Sequence, residues 1–480
     1  MHWIDWLIVL IPLGVVFFIG YKTQKYVKGV SDFLAAGRVA GRYVVAVANG
    51  EAAMGLISLV ALFEMYYKVG FAVSFWSQVN IPISILVTLA GYCTYRFRET
   101  RAMTIGQFFE MRYSKSFRIF AAILQSFAGI LNYAIFPAVG ARFLIYFCDL
   151  PLNVNILGMQ FPTFGLVMMA FLGAAVMIVM FGGQITIMVT DCVQGILSYP
   201  MYVIIVAFIL YKFSWFSEMA PTLLDRAPGK SMLNPYDIEK LRDFNIFYVC
   251  VGIFSSIMNR MSWSGTQGYN AAAATPHEQK MGGVLGAWRS GFSVMMYILL
   301  AIAAYTYLNN VHFKSQAEKV HKELAVKTMN DVAPGEEFSG IRTEVKKYID
   351  SGKMSPELQA CLKDNASDKS IALVDVTKEA LKTKDKGKAQ MFGTIYGQML
   401  VPLSIRKFLP IGVTGIFCAI MIFLLVSTDT TYMHSWGSII VQDIILPFRN
   451  KPFSPKQQLA LLRIIIACVA VFAFIFSFFF

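Results

Sequence analysis

Charge is what this sequence has least of. Of 480 residues, 15% are Asp, Glu, Lys or Arg, against 56% hydrophobic, and the mean hydropathy is +0.57. A soluble globular domain cannot hide that much apolar surface from water, so lipid must be part of the solvent. Cysteine is sparse too. The seven present are scattered, mostly within apolar runs, and no spacing suggests a disulfide framework or a metal site. Acidic residues are the scarcer sign, 29 against 42 basic, for a net charge of +13. Such an excess raises nucleic acid as a partner, but its placement argues otherwise. Lys22, Lys25, Lys28, Arg38 and Arg42 follow the first apolar run. Arg96, Arg98, Arg101, Arg112, Lys115 and Arg118 follow the third, and Arg449, Lys451, Lys456 and Arg463 flank the start of the last. With the N-terminus outside, all three groups fall on the cytoplasmic side, which is the positive-inside bias. The charge reports topology, and no nucleic-acid partner is expected. No ring of charges or filter-like loop suggests a channel, and no nucleophile–base pair suggests an enzyme.

Long apolar runs are what the sequence has in abundance. Ten occur, near 3–20, 43–63, 71–93, 118–147, 162–181, 185–212, 244–265, 284–308, 409–440 and 459–480. About 20 residues suffice to cross the hydrocarbon core as a helix, so the chain reads as one all-α polytopic membrane protein. The first run is expected to be an uncleaved helix and not a cleavable leader, since "MHWIDW" lacks a basic n-region and "YKTQKYVK" follows the apolar stretch. One polar insertion, 310–395, interrupts the pattern. "AEKVHKELAVKTMNDV" and "DVTKEALKTKDKGK" carry apolar residues at helical spacing, which predicts short amphipathic helices on the outer face. Asn365-Ala366-Ser367 within it has the form of a glycosylation sequon, a triplet that chance also produces.

Two of the runs are broken. The second, "VVAVANGEAAMGLISLVALF", has Asn49-Gly50-Glu51 in its inner half, and the seventh, "GIFSSIMNRMSWSGTQGYN", is interrupted by polar residues and Gly265. Interruptions at corresponding places in two halves point to an inverted-repeat transporter. Counted from the second run, they fall in the first and sixth helices, as two repeats of five require. The division is then a leading helix and cytoplasmic loop (1–42), a first repeat (43–212), the start of a second (213–309), the insertion (310–395), and the eighth and ninth core helices (396–480). Two repeats after a leading helix need eleven spans and ten are found, so the natural chain is expected to continue past Phe480.

The most unusual polar group lies in "FLLVSTDTTYMHSWGSII", residues 423–440. At 100° per residue Ser427, Thr430 and Thr431 share a helix face, Thr428 flanks it, His434, Ser435 and Ser438 continue it, and Asp429 points nearly the other way. Gly437, at its edge, would let a neighbouring helix approach closely. Hydroxyls can bond back to their own i−4 carbonyls or join helices together. That accounts for one such residue more readily than for four within five positions. A hard monovalent cation, which wants several oxygens, accounts for the set. A second polar group, in "FGGQITIMVTDCVQGIL" (181–197), puts Asp191 about six residues into an apolar helix with Gln194 a turn further. An intramembrane carboxylate is a functional candidate by default.

These stretches resemble the sodium/solute symporter family. "FGGQITIMVTDCVQ" resembles its Gly-Gly…Thr-Asp-x-x-Gln fifth-helix motif, and "VSTDTTYMHSWGSIIVQDI" its eighth-core-helix motif. "QGYNAAAATPHEQKMGG" is similar to its Gln-Arg-x-x-Ala-Ala-Lys loop, and "DFLAAGRVAGRY" to its Phe-Leu-Ala-Gly-Arg segment. The resemblance implies a LeuT-type fold with one preceding helix, and sodium as coupling ion. It implies a shared sodium site from hydroxyls of Ser427 and Thr428 with main-chain carbonyls of Glu51, Met54 and Leu424. A second site would use Asp191, Ser427, Thr430 and Thr431. Gly268 and Ala273 depart from the loop motif, standing where Arg and Lys are usual. The seventh run also lacks the aromatic gate and Asn/Asp-Gln pair of sugar-transporting relatives.

Candidate substrate contacts are Ser58, Asn259, Trp263 and Gln267. Glu51 and Arg260 lie at similar depths on helices that neighbour each other in this fold, so an ion pair is expected, with Asp429 as a competing partner for Arg260. Arg142, near the outer end of its helix, is expected to snorkel, and His434 to be a packed polar residue. The expectation is a sodium-coupled symporter of a small organic solute in the cell membrane, working by alternating access. The rival from another class is a transporter-like sensor joined to a signalling module beyond residue 480.

Overall fold

The computed structural model describes all residues except 157, 227–228, 238–244, 259–260, 352–368, 452 and 480. Asn259, Arg260 and the sequon at 365–367 lie outside the described residues. Seventeen longer or site-bearing helices are labelled here in chain order. The first six are α1 (Trp3–Thr23), α2 (Arg42–Ala53), α3 (Leu56–Val69), α4 (Phe71–Leu89), α5 (Lys115–Tyr133) and α6 (Phe136–Cys148). A hairpin follows, of β1 (Asn153–Ile156) paired antiparallel with β2 (Met159–Pro162). Then come α7 (Thr163–Gly182), α8 (Gln184–Lys212), α9 (Ile246–Met258), α10 (Gln267–Ala272) and α11 (Pro276–Asn309). The insertion supplies α12 (Lys314–Val332), α13 (Ser339–Ser351) and α14 (Lys369–Lys382). Last are α15 (Lys386–Phe408), α16 (Val413–Ile439) and α17 (Pro455–Phe479).

Among the described residues eight helical segments are long and apolar enough to cross a membrane, or nine if the bent pair α2–α3 counts as one. The shorter apolar helix α9 occupies the seventh expected run. Lipid-facing helices such as α1 and α17 keep large apolar side chains exposed, for instance Phe18 and Ile464. By contrast α16 is buried along nearly its whole length, Asp429 and all four hydroxyls of residues 427–431 included. A polar stripe on the most enclosed helix must face protein or an ion, since hydrocarbon offers such groups nothing.

Both interrupted runs are broken as expected. Helices α2 and α3 meet at 65°, with Met54 at φ −104°, ψ 82° leaving the helix and Gly55 starting the next. In the seventh run α9 is described as far as Met258, residues 261–263 are not helical, and the chain resumes as a short 3-10 turn, Ser264–Thr266, leading into α10. Around the first break, α2 packs against α8 and α11, while α16 packs against α1, α8 and α17. Close approach of α17 to α16 depends on Gly437: a Cβ there would sit 2.5 Å from Ile466 Cγ1 and 3.1 Å from its Cα.

The insertion does form helices, and α12 and α14 pack on α15. Helix α15 runs across residue 395, so the end of the insertion is not a structural boundary. Charged side chains tie this layer to the transmembrane helices. Lys327 reaches the Ile145 carbonyl at 2.9 Å and Asp149 at 3.0 Å, and Lys407 pairs with Glu323 at 2.6 Å. Arg142 does not simply snorkel: it pairs with Asp331 at 3.7 Å and lies over the Phe164 ring.

Candidate functional site

The break in the second span sits directly on the hydroxyl stripe. Gly55 faces Thr428 so closely that a Cβ would lie 2.8 Å from Thr428 Oγ1 and 3.2 Å from its Cγ2. A helix end leaves its last carbonyls without intrahelical partners, so the end of α2 offers main-chain oxygens at this level. Those of Glu51 and Met54 were the ones expected; the Glu51 carbonyl also accepts from the Met54 N–H at 3.3 Å. Across the break the Thr428 hydroxyl donates to the Leu424 carbonyl at 2.7 Å. That bond uses the hydrogen of the hydroxyl and leaves its lone pairs free, which is what a cation requires of it.

One turn along, three helices bring a second set of oxygens together. Asp191 of α8 is fully buried and accepts a hydrogen bond from the Tyr269 hydroxyl of α10. The same hydroxyl is 2.8 Å from Thr431 Oγ1 of α16. Ser427 faces the Asp191 carboxyl closely enough to interact with it, yet neither Ser427 Oγ nor Asp191 Oδ1 has a hydrogen bond of good geometry among the described residues. Both amide atoms of Gln194, one turn from Asp191 and equally buried, are also without a partner. Thr430 donates to the Ser427 carbonyl at 2.9 Å, leaving its lone pairs free as Thr428 does. Leaving a buried polar atom unpaired costs about 1–3 kcal/mol, so this concentration of orphaned oxygens marks a place built for something else.

The donor set fits a hard monovalent cation: hydroxyls, main-chain carbonyls and one carboxylate. Among the described residues no group of three or more His, Cys, Asp or Glu side chains could hold a metal. Asp429 takes no part in the set; its carboxyl lies beside the Tyr133 phenol of α5. His434 is packed, its Nε2 2.8 Å from the Phe33 carbonyl.

A cavity of about 510 Å³ opens beside the break, lined among others by Asn49, Glu51, Tyr199, Tyr202, Trp263 and Asn270. Glu51 is turned to α8, where Ser198 Oγ donates to its Oε1 at 3.1 Å. Arg260, its expected partner, lies outside the described residues, as does Asn259. Of the other candidate substrate contacts, Trp263 lines the cavity and its Nε1 donates to the Tyr432 hydroxyl at 3.3 Å. Gln267 and Ser58 are not among the lining residues. Gln267 instead accepts from the Ile105 N–H at 3.1 Å, holding the short helix Ile105–Arg112 against α10.

Two features escaped the sequence reading. Tyr269 joins the Asp191 and Thr431 sides of the site, although the stretch containing it was read for Gly268 and Ala273. Glu51 meets Ser198, two turns beyond Asp191 on the same helix. No sequence signal pointed to either: Tyr269 stands at an unspecified position of the loop motif.

The model of the Sodium:solute symporter family matches residues 33–255. Sodium/proline symporter 2 of Staphylococcus saprophyticus is 26% identical over 246 residues, covering 48% of this chain and 45% of that protein. The match thus spans less than half the length of that curated relative. A solved Na+-coupled sialic acid symporter, in its substrate-bound outward-open state, superposes with a TM-score of 0.69 at 14% identity. That superposition covers 99% of this chain and 81% of the other. The family resemblance carried by the motifs therefore holds, and the chain is an all-α polytopic membrane protein of the LeuT-type fold.

Proposed function

We propose that this chain, sodium/solute-symporter-like in sequence and fold, is a sodium-coupled symporter of a small organic solute that works by alternating access. The observation carrying the reading is the pair of buried oxygens, Ser427 Oγ and Asp191 Oδ1, that face each other beside a broken helix without a well-formed hydrogen bond. Sodium is the cargo that these atoms suit. The shared site takes hydroxyls of Ser427 and Thr428 with carbonyls of Glu51, Met54 and Leu424. The second takes Asp191, Ser427, Thr430 and Thr431, and Tyr269 holds the other carboxylate oxygen of Asp191, Oδ2, in place.

Sodium between the end of α2 and the face of α16 ties the broken helix to its neighbour. In its absence that contact rests on the packing of Gly55 against Thr428. A tied break steadies the cavity wall that Glu51 and Met54 help form, which favours the solute-ready state. Solute then completes the enclosure and the bundle rocks to release both cargoes inward. The three basic groups and the N-terminus outside orient this cycle in the cell membrane. One cation moving down a membrane potential supplies about 2.3 kcal/mol per 100 mV, enough to concentrate a neutral solute roughly 50-fold. Two cations square that factor.

The test is radioactive sodium binding to the purified full chain. Ser427→Ala/Thr428→Ala lowers sodium affinity at least tenfold, and Asp191→Asn lowers the number of ions bound by one. Wild-type sodium affinity in the double variant would remove the site, and with it the coupling mechanism.

A further inference from the structure

Gln194 of α8 is fully buried, and among the described residues neither its amide oxygen nor its amide nitrogen has a hydrogen-bond partner. An amide brings one acceptor and two N–H donors, and burying all of them unused is costly. Its direction follows from what its neighbours on α8 touch. On the flank toward α1, a Cβ on Gly20 would stand 3.4 and 3.3 Å from the methyls of Thr186 and Thr190. On the flank toward α2, a Cβ on Gly195 would stand 2.6 Å from Val47 Cγ1. Helix α16 packs against α1, α2 and α8 alike, so it fills the space between those flanks. At about 100° per residue, Gln194 points between Thr190 and Gly195 and within about 60° of Asp191, onto the same side of α16.

The depth of Gln194 follows as well. One hydroxyl, that of Tyr269, reaches both Asp191 and Thr431, which sets those two residues level. Helices α8 and α16 run in opposite directions. Three residues onward on α8, about 4.5 Å, therefore correspond to three or four residues back on α16. Gln194 is thus level with Ser427 and Thr428. Ser198, a further turn along α8, already meets Glu51 of α2. The Gln194 amide accordingly stands between the Asp191 group of oxygens and the break, where Thr428 faces Gly55.

We infer that the Gln194 amide oxygen is a further ligand of the sodium ion at the Asp191 site, added on the side of the break to Asp191, Ser427, Thr430 and Thr431. The inference rests on the symport reading, because it takes that group of oxygens as a sodium site. A hard cation prefers oxygen, and an amide carbonyl supplies one without placing a second negative charge beside Asp191. A glutamine that served packing alone would be bettered by an apolar side chain of its length. One that serves the ion destabilises the chain until sodium binds.

The test measures radioactive sodium binding and the sodium-free unfolding midpoint of the purified full chain. Gln194→Met keeps the length of the side chain and replaces the amide by a thioether, a soft group that suits sodium poorly. The ion that Asp191→Asn removes is expected to bind Gln194→Met at least tenfold more weakly, with a sodium-free midpoint equal to wild type or higher. Added to Asp191→Asn, Gln194→Met is expected to leave the affinity for the remaining ion unchanged. Three results each overturn the assignment. Wild-type affinity for both ions in Gln194→Met removes the ligand, a lower sodium-free midpoint makes the amide a prop of the fold, and a weakened remaining ion in the double variant moves it to the shared site. The ion counts separate this inference from the reading beneath it. An Asp191→Asn count equal to wild type removes the second site, and this inference with it, while the shared site stands. No saturable sodium binding to wild type removes symport itself.

Discussion

Replacing Gly55 by Ala probes the junction between the broken helix and the hydroxyl stripe with a single carbon. Gly55 has φ −77° and ψ 158°, ordinary extended backbone, so alanine brings no conformational strain. The whole effect is steric: the new Cβ meets Thr428 Oγ1 at 2.8 Å and Cγ2 at 3.2 Å. Thr428 is 3% exposed and its hydroxyl is committed to the Leu424 carbonyl, so it cannot turn away without losing that bond. The helices must therefore part by a few tenths of an ångström. Overpacking of this kind costs about 1–3 kcal/mol. Metal–ligand distances tolerate only about 0.2 Å, so the strain falls on sodium coordination as well as on the fold. At about 1.4 kcal/mol per decade, sodium affinity should drop roughly 5- to 150-fold. Radioactive sodium binding and thermal unfolding of the purified chain read the two effects separately. In Gly55→Ala/Thr428→Ala the clash is relieved, so the midpoint recovers while sodium affinity stays low. Wild-type sodium affinity in Gly55→Ala, or no thermal recovery in the double variant, would refute the geometry.

Other perturbations test the surroundings of the site. Tyr269→Phe removes the described donor to Asp191, a charge-assisted bond of about 1.5–3 kcal/mol. The sodium-free midpoint should fall and the shift on adding sodium should grow; an unchanged sodium-free midpoint would exclude the bond. Asp443→Asn breaks the buried cluster in which Asp443 accepts from Arg118 and Thr104 at 2.8 and 2.7 Å. Loss of one partner from a buried ion pair costs about 3–5 kcal/mol, so the variant should unfold well below wild type. At the end of α6, burial raises the Asp149 carboxyl, but Lys327 and Arg406 outweigh it and hold it below its ordinary range. A carboxyl depressed in the folded state contributes stability above its unfolded value, and that stability is lost as pH falls through the folded value. The midpoint should therefore decline below about pH 4, and Asp149→Asn should decline less. Identical acid limbs would exclude a contribution of Asp149 to acid stability.

Much of the architecture was readable because membranes impose one-dimensional rules. A run of about 20 apolar residues must be a helix, since no other local structure satisfies its backbone in hydrocarbon. Among the described residues each of the ten expected runs contains a helix, the bend at Met54–Gly55 falls three residues beyond Glu51, and Gly437 is where α17 touches α16. Partners across the fold were less legible. The pairing of Arg142 with Asp331 joins a transmembrane helix to an insertion whose docking no periodicity encodes. The helix α15 was not separated from the insertion, because its charged first turn reads like the segment before it.

By itself, then, the chain's hydropathy determined which segments lie in lipid, and helical spacing determined that Ser427, Thr430 and Thr431 share a face. Spacing orients a side chain relative to its own helix and carries no information about what stands opposite. Only the packing of α8, α10 and α16 decided that Tyr269 meets Asp191 and Thr431, residues 78 and 162 positions away. Packing also decided that Glu51 turns to Ser198. Those contacts depend on how helices distant in sequence cross, which is set by side-chain fit at many interfaces at once and by no single stretch of sequence.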